Sequence, residues 1–272
     1  MSASRMKNLI LLILTLCALG LLCIVVPNRL APHEQRQMLQ ELKTLYESYG
    51  LSVLLDELPR SPVLYSVELS EDGAQTAAQA LLGAKAAPAG ESGFESTYES
   101  ELGTLHITRT GGFSAVMTGG SRVRSSEKAA EKLLRAMDFQ YQTLTREQTE
   151  TGAVQIRTSQ TLLGVPVLGS QLALSYTDDC LTAVEGTFYT GGSSITRVSE
   201  QEAISAADAL AQLLARRDAL GWVGSAVTGL TQAYLPSDQA GTGIRFVPVW
   251  LVETDAGSFF INGITREITA ET

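Results

Sequence analysis

Between Leu9 and Val26 the chain reads LILLILTLCALGLLCIVV, without one charge, and is closed by Pro27 and Asn28. As an α-helix this run spans roughly 27 Å, close to the thickness of a hydrocarbon core. It predicts a transmembrane helix over 9–26, with 1–8 as a cytoplasmic tail. A cleavable signal peptide needs a shorter apolar core that ends at small residues. Ala18 and Gly20 imitate such a site, but Leu21 to Val26 carry the run past it, which favours an uncleaved anchor. The same two small residues are the expected contact with a neighbouring membrane helix. Arg5 and Lys7 on one side, against Arg29 and Arg36 on the other, give a slight bias toward a tail inside. The expected placement is single-pass in the cell membrane, with an extracytoplasmic body.

Charge sharpens this reading. All 29 acidic residues follow position 26, against 20 − 2 = 18 basic ones, so the body carries −11. No basic stripe interrupts that surplus, which argues against nucleic acid as a partner. Disorder is excluded because 44% of the residues are hydrophobic and only 18% charged. Cys17 and Cys23 lie inside the apolar run, leaving Cys180 alone and giving no disulfide framework.

The expected fold class is α+β: the membrane helix, then tandem units of one helix plus an antiparallel meander. Residues 27–62 form a juxtamembrane helix and linker, where Met38, Leu42, Leu45 and Tyr49 recur at helical spacing. Three α+β units follow, over 63–120, 121–192 and 193–272. The second opens with Ser125 and Ser126 as candidate caps, then places Ala130, Leu133, Leu134 and Met137 on one helix face. The third opens with Ser199-Glu200-Gln201-Glu202, an S-x-x-E capping box. Thr177-Asp178-Asp179 and Asp255-Ala256-Gly257 read as hairpin turns. Units two and three each carry a repeated strand motif, Val165-Pro166-Val167 and Val247-Pro248-Val249. Because proline lacks a ladder donor, these prolines belong at a strand edge, a bulge or a strand start.

The stretch GVPVLGSQLALSYTDDCLTAVEGTFYTG and the closing PVWLVETDAGSFFINGITREI resemble PepSY-type modules. With the apolar leader, the whole is similar to the YycI and YycH regulators of Gram-positive two-component signalling. That resemblance is strongest over 125–272. It implies an accessory protein that meets a membrane sensor kinase and tunes it by protein-protein contact. PepSY modules also imply two alternatives, a peptidase inhibitor or chaperone and a spore or cell-wall accessory protein.

Chemistry is sparse. His33 and His106 are the only histidines, and His106 alternates with Leu105 and Ile107, which turns it toward solvent. H-E-x-x-H, C-x-x-C, G-x-S-x-G and P-loop signatures do not occur. A Ser-His-Asp set stays open, since such partners meet only in space. Asp178 and Asp179 have no further oxygen ligands at Ca²⁺-loop spacing and read as turn formers. Glu91, Glu95, Glu99 and Glu101 read as a solvated acidic face, with docking of a basic patch as the functional alternative. A groove lined by Trp250, Phe259 and Phe260 competes with plain core packing. No catalytic, metal-binding or cofactor-binding residue is expected, and no cofactor.

Overall fold

The computed structural model describes residues 35–59, 62–69, 73–92, 94–118, 123–148, 153–239 and 243–271. The expected membrane helix over 9–26, with Ala18 and Gly20, lies outside the described residues. Among the described residues no helix is long and apolar enough to cross a membrane. The expected single-pass anchor and the cell-membrane, extracytoplasmic placement built on it are corrected to that extent: what the structure describes is a mostly β body without a membrane-crossing helix.

The tandem helix-plus-meander architecture is corrected as well, because fifteen strands join into one mixed network. The N-terminal elements are α1 over 35–48, β1 (Ser52–Val53), β2 (Val67–Leu69) and α2 (Gly73–Leu82). Strands β3 (Ala87–Ser92), β4 (Glu95–Ser100), β5 (Gly103–Thr108) and β6 (Gly112–Met117) follow. After α3 (Glu127–Ala136) come β7 (Thr145–Gln148), β8 (Val154–Leu162), β9 (Val165–Thr177) and β10 (Cys180–Thr187). The chain ends through β11 (Ile195–Arg197), α4 (Ala206–Ala215), α5 (Arg217–Leu220), β12 (Ala226–Gln239), β13 (Gly243–Thr254), β14 (Gly257–Asn262) and β15 (Ile268–Ala270).

The pairing of β6 with β10 explains why separate modules do not form. It is antiparallel and runs from Ala183↔Val116 to Thr187↔Gly112. A free meander exposes two edges of unpaired backbone groups, and pairing the last strands of two meanders removes one edge from each. The result is one antiparallel sheet in the order β7-β8-β9-β10-β6-β5-β4-β3. Helices α2 and α3 cover a single face of it. Leu81, Leu105, Phe113, Leu134, Leu174 and Phe188 belong to the core they share.

Strands from both ends of the chain build the other half. Strand β13 pairs with β12 along its length, while β1 adds to β12 in parallel and β2 to β13 antiparallel. Helices α1 and α4 pack on this layer around Trp250, Val252 and Ile261. The Tyr46 hydroxyl ties the two helices by donating to the Leu210 carbonyl at 2.8 Å.

A parallel bridge, Tyr234↔Val167, joins β12 to β9 and so links the two halves. Leu64, Val67, Val165, Val167, Tyr234 and Phe246 pack around it.

Helix starts follow from capping. Ser126 caps α3 by accepting from the Ala129 N–H at 3.3 Å. Helix α4 starts later than the S-x-x-E pattern suggests, at Ser205, which forms a capping box with Asp208. The reason is tertiary. Ala203 N–H is bound to Leu64 O and Ile204 N–H to Gly263 O, which holds this stretch extended. Ser199 instead accepts from the Ser66 N–H at 3.1 Å.

Candidate interaction surface

With both helices on one face, the eight-stranded sheet leaves its opposite face uncovered. Strand alternation sets what that face displays. One row across the strands reads Thr97, His106, Ser114, Glu185, Ala173 and Arg157. The next reads Glu99, Thr104, Val116, Ala183, Ser175 and Gln155. The middle strands thus carry Ser114, Ala173, Ser175 and Ala183 beside the exposed Val116 and Glu185, while the other charges stand on the outer strands. His106 Nδ1 lies 3.0 Å from Glu95 Oε1 and 3.1 Å from Thr97 Oγ1. Both members of the His106–Glu95 pair are 47% exposed, so water screens it.

The strand edges are less inviting than this face. Strand β3 carries Pro88 and a bulge between Pro88 and Gly90. Strand β7 is four exposed polar residues, and β11 and β15 are three residues each. Short, charged or proline-bearing edges resist strand addition.

The repeated motifs meet at the junction. Val167 and Pro248 are both registered with Tyr234, so β12 lies between the two V-P-V tripeptides. Pro166 is the second residue of β9. Pro248 is central in β13, where the strand changes its outer neighbour. Arg245 and Phe246 pair with β2, whereas the residues from Val249 onward pair with β14. No ladder bond is asked of Pro248 there, and its carbonyl accepts from the Gly263 N–H at 2.7 Å.

Carboxylates in the turns have structural partners. Asp178 and Asp179 adopt φ of 52° and 62°, as a tight hairpin turn requires. Asp179 accepts from the Ser125 hydroxyl and N–H and from Arg124 Nη1. Those bonds, led by the Ser125 hydroxyl, hold its carboxyl below the usual range. Asp255 repeats the device, accepting from the Ser225 hydroxyl and N–H and the Ala226 N–H, and is likewise held low.

Trp250 is core: its Nε1–H donates to Ile204 O at 2.9 Å, and Phe259 is buried beside it. Phe260 is half-buried on the other side of β14. Of the acidic set, Glu95 and Glu99 stand on the open face and Glu101 is exposed in the β4–β5 turn. Cys180 is a free, half-buried thiol at the start of β10. His33 lies outside the described residues. Among the described residues no three His, Cys, Asp or Glu side chains converge as metal ligands.

Sequence reasoning missed the Glu95–His106 pair and the rows across β6 and β10. Period-two alternation marks Ser114, Val116, Ala173, Ser175, Ala183 and Glu185 as one side of their strands. It does not say which strands lie side by side.

No family model matches the chain, and no curated protein matches it. Among solved structures the chain is similar to an uncharacterized protein from Eubacterium rectale ATCC 33656, at 11% identity and TM-score 0.48, covering 82% of this chain and 90% of that one. It is also similar to the Bacillus megaterium YpeB C-terminal domain, at 15% identity and TM-score 0.34, covering 75% of this chain and 99% of that domain. Neither name is that of a YycI- or YycH-type regulator.

Proposed function

We propose that this chain is a non-enzymatic interaction protein that holds another protein across the open face of its eight-stranded sheet. The observation that carries this reading is the uncovered face itself, whose centre carries Ser114, Ala173, Ser175 and Ala183 together with Val116 and Glu185. Small side chains let a partner approach the backbone closely. Glu95, Glu99, Glu147 and Glu185 outnumber Arg157 around it, which favours a partner with basic residues. The PepSY-type resemblance supports the class, and the similarity to YycI and YycH regulators supports a sensor kinase as the partner.

The test is in-cell cross-linking with mass spectrometry on the native chain and on Ala173→Arg. Arginine on the open face blocks close approach without entering the core. The expected result is a histidine kinase cross-linked to the native chain and lost from the variant, with kinase autophosphorylation altered only by the native chain. A peptidase in its place, inhibited by the purified protein, would move the reading to the inhibitor class. Undiminished capture by Ala173→Arg would remove the open face from the proposal.

A further inference from the structure

His106 is the one histidine among the described residues, and strand register decides what surrounds it on the open face. From β4, Glu95 Oε1 lies 3.0 Å and Thr97 Oγ1 3.1 Å from its Nδ1, and Glu99 stands one step further along that strand. From β6 the neighbours are uncharged, Ser114 opposite and Val116 beyond it, and the next strand, β10, sets Glu185 opposite Ser114. Thr104 and Thr108 share the face on β5 itself, and Arg109 is exposed in the turn that follows. Among the described residues Glu99 and Glu185 have no basic partner. The basic side chain that register puts on this face, Arg157, stands away on β8, 3.9 Å from Glu147 of β7.

We infer that the proton on His106 regulates the open face, which takes a basic partner when the imidazole is neutral and releases it when the imidazole is charged. This rests on the open-face reading above. Imidazole is the side chain whose ordinary charge change falls between about pH 5 and 8. Around it β4 and β10 contribute three carboxylates, Glu95, Glu99 and Glu185, so this part of the face passes from −3 to −3 + 1 = −2 on protonation.

Proton and partner compete for one carboxylate. As an imidazolium, His106 is the cation already seated on Glu95; as a neutral ring it leaves that carboxylate its full charge for a lysine or arginine of the partner. The exchange is open because both members of the pair are 47% exposed, and a pair that water screens holds weakly against an incoming ammonium. Glu185 lies two strands on, about 10 Å away at ordinary strand spacing, so at low salt the same proton weakens its pull as well.

The probe is octalysine labelled with tetramethylrhodamine, followed by fluorescence anisotropy with the purified full chain at low ionic strength. The native chain should bind it about three- to fivefold more tightly at about pH 7.5 than at about pH 5.5, the size of a screened ion pair. His106→Gln, neutral at both, should bind nearly equally at the two, and as tightly as the native chain does at the higher one. Ring-carbon NMR without the probe reads the proton directly, with the His106 signal identified by its loss in His106→Gln. That signal should move between about pH 5 and 8. If Ala173→Arg abolishes binding while His106→Gln keeps the native pH dependence, the switch is overturned and the open face stands. A ring that holds one charge state throughout the range overturns the switch without reference to any partner. Absent binding, or binding that Ala173→Arg leaves undiminished, overturns the reading of a basic partner on this face, and the switch falls with it.

Discussion

Replacing Tyr234 by alanine should uncouple the two halves of the molecule. Tyr234 is fully buried, packs with Leu64, Val67, Val167 and Phe246, and donates its hydroxyl to Tyr65 O at 3.1 Å. It is also the β12 residue that bridges to β9. Truncating a buried aromatic of this size costs about 3–5 kcal/mol through lost burial and the cavity left behind. Tyr234→Phe keeps the ring and forfeits one hydrogen bond, about 1 kcal/mol.

Urea denaturation followed by two probes separates these cases. Both tryptophans, Trp222 and Trp250, lie in the core shared by α1, α4 and β12–β14, so their fluorescence reports on that half alone. Far-UV circular dichroism reports on both halves. The native chain and Tyr234→Phe should give coincident transitions, shifted by about 1 kcal/mol between them. In Tyr234→Ala the two transitions should separate. If they stay coincident and the loss is under about 1 kcal/mol, Tyr234 is not what couples the halves.

Gly186 sits at φ 142° in β10, and a Cβ there would run into the Gln171 carbonyl of β9. Gly186→Ala should therefore lose more than about 3 kcal/mol in thermal unfolding, and a near-neutral melt would contradict the close β9–β10 approach. Asp179 and Asp255 are held below the ordinary carboxylate range, so their contribution is present above about pH 4 and lost as pH falls through the depressed values. Melting temperatures measured down this range should fall more steeply for the native chain than for Asp255→Asn; parallel curves would count against the Ser225 bonds. Burial pushes the Tyr176 and Tyr234 phenols up to about 12. Their contribution is full below the unfolded value near 10 and declines as pH rises toward 12. Tyrosinate absorbance from these residues should appear together with the loss of circular dichroism, and its appearance near pH 10 in a folded chain would refute their burial.

Local features were legible because they depend on neighbours in sequence. Ala130, Leu133, Leu134 and Met137 are all buried, as their spacing requires, and Asp178 and Asp179 form the turn their residue types favour. What escaped was assembly. Nothing in the alternation of β6 names β10 as its neighbour, and nothing around Ser52 announces parallel pairing with Ala226 across most of the chain. Ser199 has a good local pattern for a cap, yet bonds to Leu64 and Gly263 hold the following residues extended and pass the role to Ser205. The open face was hidden for the same reason: His106 was readable as solvent-facing, but Glu95 beside it and Glu185 two strands away are products of register.

The β6–β10 pairing also has a consequence for synthesis. From Met117 to Cys180 the ribosome must add 180 − 117 = 63 residues before the strand that closes that side of β6 begins to emerge. At about 5–20 residues per second the nascent first half waits roughly 3–13 s with a sheet side open. During that interval it is most exposed to chaperone capture or to pairing with another translating copy. Slow decoding between these strands should therefore lower soluble yield without changing a single contact in the finished protein.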